Sequence, residues 1–333
     1  MIPDSLPVPE GIAALPRFGL IDGPSPFQVL PRFSAALGGG VEVWIKREDL
    51  LPLAFGGNKL RNLEFLVGAA LAEGADSLVT SGRRWSNHCR LTAAAGAKAG
   101  LDVHLVMTGP PVEPPGANER LDRLLGATVH VAPTDARAER EALVEDVIAD
   151  LRAAGRRPYL VGVGGGGPIG GAGQVLAGIE VAGQMRFAGV TRPVVVLPSA
   201  TGGTQAGVLA GLRVAGASAG VLGVAVAGPP DELRPAIAAL LQGLAPFAGV
   251  NVEPDEIDLT DAQRGPGYGV PTPAADEAAT LLARMEGILV DPIYTAKALA
   301  ELVARARDGL LEGQVVFWHA GGTPGLFEAL PEA

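Results

Sequence analysis

Short runs of β-branched and apolar residues alternate along this chain with Ala- and Leu-rich stretches of helical length. That alternation is the pattern of β-α units around a largely parallel sheet. It predicts strands at Val41 to Lys46, Ser77 to Thr80, Val103 to Met107, Thr128 to Val131, Tyr159 to Val163, Val194 to Leu197, Val221 to Val226 and Val315 to Trp318. Helices are predicted near Lys59 to Glu73, Asn87 to Ala99, Arg137 to Ala154, Gly173 to Phe187, Thr204 to Val214, Pro273 to Glu286 and Thr295 to Arg307. A doubly wound α/β protein is expected, with glycine-rich turns at Gly162 to Gly173 and Gly202 to Gly207 following strands, where open sheets place ligands. The proline-rich connections Gly109 to Gly116 and Gly265 to Pro273 read as ordered surface loops.

Composition narrows the function classes. The 333 residues are enough for two domains, each with its own core, and 48% hydrophobic against 19% charged residues argues against disorder. With 26 Lys and Arg against 36 Asp and Glu, the net charge of −10 offers no basic field, so no nucleic-acid partner is expected. Cys89 is the only cysteine, which excludes an intramolecular disulfide. The start, Met1-Ile2-Pro3-Asp4-Ser5, lacks the basic and apolar regions of a signal peptide, and no apolar run approaches the roughly 20 residues that cross a bilayer. A soluble cytoplasmic protein without a membrane partner is the expectation.

Three segments carry candidate chemistry. In Gly56-Gly57-Asn58-Lys59-Leu60-Arg61, which follows Lys46-Arg47-Glu48-Asp49-Leu50, glycines admit a close ligand. Lys59 falls in a first helical turn, where the positive end of the dipole disfavours an ammonium, so it could serve as a Schiff-base amine. Taken alone, the segment equally fits a solvated lysine on an amphipathic helix. Ser81-Gly82-Arg83-Arg84-Trp85-Ser86-Asn87-His88 joins a strand to a helix, where free N–H groups suit a carboxylate or phosphate. Capping alone also explains Ser86 and Asn87, and the two arginines also fit a solvated surface.

The third segment, Ser199-Ala200-Thr201-Gly202-Gly203-Thr204-Gln205-Ala206-Gly207, reads either as a phosphate cup of backbone donors or as an ordinary tight turn. It lacks the Gly-Lys-Ser/Thr ending of a nucleotide-hydrolysing loop. Gly162 to Gly167 contains G-x-G-x-x-G, which raises a nicotinamide dehydrogenase, but no acidic residue ends the next strand around Val194 to Pro198. Tyr268 and Tyr294 are candidate proton donors or acceptors, or packing residues with satisfied hydroxyls. The histidines His88, His104, His130 and His319 have no metal-ligand spacing, so no catalytic metal is expected.

Together, K-R-E-D-L with G-G-N-K-L-R, S-N-H, T-G-G-T-Q-A-G, G-Y-G-V-P, and D-P-I-Y-T-A-K with H-A-G-G-T-P-G-L resemble the D-cysteine desulfhydrase and 1-aminocyclopropane-1-carboxylate deaminase family of pyridoxal-phosphate enzymes. The resemblance spans nearly the whole chain. It implies two doubly wound open-sheet domains of the tryptophan-synthase-β type (PLP fold type II). A large domain of residues 1–52 plus 166–333 would bind pyridoxal 5'-phosphate, and a smaller domain of residues 53–165 would be inserted into it. A homodimer is implied as well.

By the same resemblance Lys59 is the Schiff-base lysine, Asn58 and Asn87 contact the cofactor, and Ser199, Ala200, Thr201, Gly202, Gly203 and Thr204 hold its phosphate. Thr295 lies near the pyridine nitrogen, where the deaminases carry glutamate. Ser86, Asn87, His88, Trp85, Tyr268 and Ala320 face the substrate, with Ser86, Tyr268 and Tyr294 taking part in catalysis. Departures from the family's pattern are Trp85 in place of glutamine, Arg83-Arg84 in place of small residues, Gly166-Gly167 in place of Ser-Asn, and Ala320 where the deaminases have leucine.

The activity implied is β-elimination and deamination of a small amino acid to a 2-oxo acid and ammonia, as with D-cysteine. Thr295 in place of a carboxylate ranks cyclopropane ring opening below it. A cysteate sulfo-lyase or an enzyme of specialised metabolism stays open, because Arg83 and Arg84, if turned inward, would favour an anionic side chain. So does a non-catalytic cofactor-binding protein.

Overall fold

The stretch Val194 to Leu197 is continuously apolar because both faces of its strand are covered. Val195 and Leu197 join one buried cluster, and Val194 and Val196 pack against another, the period-2 division of a strand between two layers. The computed structural model describes residues 8–38, 40–109, 113–328 and 330. Met1 to Ser5 and part of the proline-rich turn after Gly109 lie outside them.

Among the described residues the strands are β1 (Phe27–Val29), β2 (Val41–Arg47), β3 (Ser77–Arg83), β4 (Asp102–Thr108), β5 (Thr128–Val131), β6 (Pro158–Leu160), β7 (Val194–Ser199), β8 (Gly220–Ala225), β9 (Asp258–Thr260) and β10 (Gly313–His319). The helices are α1 (Glu10–Ala13), α2 (Pro31–Ala36), α3 (Lys59–Ala72), α4 (Asn87–Ala99), α5 (Ala117–Leu124), α6 (Arg137–Ala153), α7 (Pro168–Ala188), α8 (Gly203–Val214), α9 (Pro230–Ala248), α10 (Pro273–Glu286) and α11 (Thr295–Arg307). Six strands form a sheet in the order β1-β2-β10-β7-β8-β9, parallel except for β1. Four form a second, fully parallel sheet, β5-β4-β3-β6. This is the α/β fold expected.

Helices cover both faces of each sheet. Val316 and Trp318 of β10 meet the cluster built with α7, α8 and α9, while Val315 and Phe317 meet α2, α10 and α11. In the smaller sheet Leu78, Leu105 and Met107 pack on α3 and α4, and Val79 and Val106 on α6. Each fully buried Val, Leu or Phe contributes about 1.5–3 kcal/mol, so the strands are held mainly by these side chains.

Two three-residue strands, β1 and β9, and the helices α1, α2, α5 and α9 were not predicted. The 19-residue α9 carries Pro235 and Pro246, both exposed, while Leu233, Ile237, Leu241, Leu244 and Ala248 are buried at spacings of three and four. Its core stripe is regular. The prolines stand on the wet face, where water can take the carbonyls they leave unbonded.

Helix α3 crosses α7 at backbone contact. A Cβ on Gly173 would lie 1.9 Å from the Arg61 carbonyl oxygen, so only hydrogen fits there. Below this crossing is a buried charge network. Arg61 donates to Glu48 at 2.5 and 2.8 Å and to Glu180 at 2.9 Å twice. Lys46 binds Glu180, the Ser25 carbonyl at 2.9 Å and Gln184 at 2.7 Å. Burial opposes the charge on Arg61, but Glu48 and Glu180 raise its pKa above the ordinary value. No helix among the described residues is long and apolar enough to cross a membrane.

Candidate active site

Strands β3, β7 and β10 all point their C-terminal ends at one cavity of about 290 Å3 between the two sheets, the location that open α/β sheets favour for ligands. At one end β7 finishes at Ser199 and the chain turns into α8 at Gly203. The first amides of that helix have no intrahelical acceptor. The Ser199 hydroxyl is buried without a partner among the described residues. The Thr204 hydroxyl accepts from Asn58 Nδ2 at 2.8 Å, tying this turn to the start of α3. Neutral donors converging at a helix N-terminus suit an anion such as a phosphate ester.

Lys59 opens α3 and lines the cavity. Its ammonium makes no hydrogen bond among the described residues, and burial lowers its pKa to about 8. A useful fraction is therefore the neutral, nucleophilic amine near neutral pH. His88 shares the cavity wall. Thr80 donates its hydroxyl to the Val161 carbonyl at 2.7 Å, so at its 2.9 Å contact with His88 Nε2 it must accept. This places the proton on Nε2 and leaves the buried Nδ1 lone pair unpartnered. Burial, and then Lys59, lowers His88 to about 3, so the ring is neutral.

Opposite, Ser86 caps α4 by accepting from the Cys89 amide at 3.3 Å. The Asn87 carbonyl oxygen accepts from Arg90 at 2.8 Å, which leaves its amino group available. The amides of Asn87 and His88 have no intrahelical acceptor, an arrangement that fits a carboxylate. Tyr268 and Tyr294 close the far wall, their hydroxyls hydrogen-bonded to each other and their rings edge-on, 5.9 Å apart. Burial raises both phenols, and Tyr268 raises Tyr294 further. Both are protonated at neutral pH, so this pair can give a proton but not take one.

Of the expected site residues, Asn58, Lys59, Ser86, Asn87, His88, Tyr268, Tyr294, Ala320 and the run Ser199 to Thr204 come together on this wall. Two do not. Trp85, expected at the substrate, is buried behind Tyr268 with ring centroids 6.1 Å apart. It fills the space a side chain at Gly269 would need, since a Cβ there would lie 2.7 Å from the indole. Thr295, expected at the cofactor ring, is fully buried off the cavity. Its hydroxyl is given to the Asp291 carboxylate, which also accepts from the amides of Ile293, Tyr294 and Thr295 at 2.9–3.0 Å. Asp291 thus anchors the turn that sets Tyr294, and an Asp two to four residues before a helix start was the legible signal for it.

Arg83 lines the cavity, whereas Arg84 turns away to pair with Glu119 at 2.7 Å. Val163 and Gly164, inside the G-x-G-x-x-G stretch, line it too, so that turn serves this cavity and not a separate dinucleotide crevice. Arg140, from α6, also lines the cavity. Nothing in its local sequence separates it from a solvated helix face.

Comparison with known proteins bears on this arrangement. Residues 19–321 match the family described as pyridoxal-phosphate dependent enzyme. The chain is 39% identical over 331 residues to the D-cysteine desulfhydrase of Salmonella newport (strain SL254), covering 96% of this chain and 98% of that one. Among solved structures, an ACC deaminase homologue superposes with a TM-score of 0.89 at 36% identity, covering 95% of both chains. A threonine deaminase from T.th. superposes with a TM-score of 0.65 at 22% identity over 90% of this chain and 92% of its own, a likeness of fold.

Proposed function

We propose, from the premise that this chain belongs to the family of pyridoxal-phosphate-dependent enzymes, that it is a lyase of the D-cysteine desulfhydrase type, removing a β-substituent and the amino group from a small amino acid. The observation that carries this reading is the Lys59 amine, lowered to about 8 and unpartnered, in a cavity with a phosphate-sized cup at one end and a carboxylate site opposite.

The residues present fit the cofactor. The orphaned Ser199 hydroxyl and the first amides of α8 would hold its phosphate, Lys59 would hold its aldehyde carbon, and Asn87 has a free amino group for the ring. When bound, the cofactor draws electron density from the substrate's Cα, and because no carboxylate among the described residues lines the wall to protonate its ring nitrogen strongly, loss of a good β-leaving group is favoured over opening of a cyclopropane.

Ser86 and the amides of Asn87 and His88 orient the substrate carboxylate. Lys59, as a neutral amine, would take the Cα proton. Tyr294, protonated and held by Tyr268, stands ready to donate a proton to the departing group. Overall, D-cysteine and water would yield pyruvate, sulfide and ammonia. We place the enzyme in the cytoplasm as a homodimer; an apolar hollow that includes the exposed side chains Phe55, Leu124 and Phe327 supports the pairing of two copies.

The test is the absorption spectrum of the purified holoenzyme, recorded before and after D-cysteine, L-cysteine and 1-aminocyclopropane-1-carboxylate, with products assayed. A visible cofactor band that shifts with D-cysteine and releases sulfide and pyruvate is expected. Release of 2-oxobutanoate from the cyclopropane would favour the deaminase reading, and a protein without the band would defeat both.

A further inference from the structure

Among the described residues the cavity wall includes Lys59, Arg83 and Arg140, and neither Asp nor Glu. In a chain with a net charge of −10 this is an imbalance to be explained. Under the reading above, Lys59 holds the cofactor, while the phosphate and the substrate carboxylate have neutral sites at the N-termini of α8 and α4. Two guanidiniums remain, of which Arg83 is met by Asp135 and Arg140 by no anion among the described residues.

Their situations differ. Arg83 ends β3, lies 5.9 Å over the Trp85 ring and is paired at 2.5 Å with Asp135, whose side chain is 52% exposed. The Arg140 side chain, in the first turns of α6, forms no hydrogen bond and no ion pair among the described residues, and its Nε is closed to solvent without a partner there. A guanidinium presents five donors in a planar fork, and taking any of them out of water is costly unless an acceptor replaces it. Nothing among the described residues fills that role for Arg140. Arg140 nevertheless stands on the wall of the cavity that a substrate would enter.

We infer that Arg140, assisted by Arg83, recognises an anionic group at the end of the substrate's side chain, so that the preferred substrate is an amino acid bearing a carboxylate or sulfonate there. The inference rests on the lyase reading and adds its specificity. Two or three oxygens of such a group match the guanidinium fork, and Asp135 stands in for that anion at Arg83 alone.

Binding to the holoenzyme is measured first by calorimetry, with no turnover required, for 3-sulfopropanoate and succinate, each against butanoate. The dianions are expected to bind at least about tenfold tighter, and Arg140→Gln to lower that preference by about 10–100-fold, the range for one charged hydrogen-bonded contact. Arg140→Lys keeps the charge and loses less. Asp135→Asn frees Arg83 and is expected to raise the preference a few-fold, a change of opposite sign that a folding defect cannot mimic. The ratio of KM for 3-chloroalanine to KM for cysteate, taken in both enantiomers, should follow the same order.

Equal loss for butanoate and the dianions in Arg140→Gln would assign the arginine to the shared carboxylate and overturn the inference. So would a weakened cofactor titration in that variant, which would assign it to the phosphate. A dianion preference without turnover of any amino acid would support the inference while defeating the lyase reading. Turnover of neutral amino acids with no dianion preference would do the reverse.

Discussion

Lys59 and Arg61 stand two residues apart at the start of α3, and their surroundings are opposite. Arg61 is buried with its charge met by two carboxylates, the nearer of which, Glu48, also accepts from Ser25 at 2.5 Å. Lys59 faces the cavity with no partner among the described residues and a depressed pKa. The saturated cation serves stability, because its donors are spent within the fold. The unsaturated one is available to chemistry, and the same holds for the Ser199 hydroxyl, His88 Nδ1 and Arg140 Nε around it. These three are the ones among the described residues that a ligand in the cavity could complete; the other buried unpartnered atoms, at Trp85, Arg90, Thr108, Asp122, Gln174, Gln205 and Trp318, lie off its wall.

Removing Lys59 should produce the largest effect. Lys59→Ala is expected to lower turnover by on the order of 10³-fold or more, since one amine serves as both attachment point and base, while denaturation midpoints stay close to the parent's. A loss of stability comparable to that of the next variant would show that Lys59 is structural after all.

Arg61→Met tests the other side of the helix. Breaking a buried ion network by removing one partner costs roughly 3–5 kcal/mol, because the remaining charges stay buried without compensation. Urea unfolding should register that loss, and adding Glu48→Gln should restore part of it. A neutral result would mean that water reaches Glu48 and Glu180.

The finest test is pH. Burial brings Lys59 from 10.5 to about 8, so in the apoenzyme the neutral amine gains tenfold per pH unit below 8 and levels off above it. The rate at which apoenzyme captures pyridoxal phosphate should follow that curve, with its midpoint near 8. A rate still climbing beyond pH 10 would place the amine in water and erase the contrast with Arg61.

Much of this was legible in the sequence, for reasons that can be located. Val194 to Leu197 followed by small hydroxyl residues and glycines announces a strand, a turn and a helix N-terminus, and the Ser199 to Thr204 cup is there. Gly56-Gly57-Asn58 before Lys59 marked a close approach ahead of a helix. The direction of the Trp85 indole is not legible beside S-N-H, because the absence of a side chain at Gly269, far along the chain, makes the room it fills. Thr295 was drawn inward by Asp291, a local turn that outcompetes the cavity for its hydroxyl. Arg140 reaches the site only through the packing of α6 on the smaller sheet, a tertiary fact with no local trace.

The seam at Gly173 bears on how such a protein can change over generations. Every substitution of this glycine introduces a carbon where the Arg61 carbonyl already stands, so drift there is barred by backbone that has nowhere to go. Arg83, held by Asp135 and the Trp85 ring, and Arg140, with no polar partner for its side chain among the described residues, stand on the cavity wall as side chains that can be exchanged one at a time. The crossing that seats the amine's helix against α7 is therefore closed to substitution at this glycine while the side chains of the rim stay open to exchange, and a lineage built on this frame can acquire new substrates without rebuilding its chemistry.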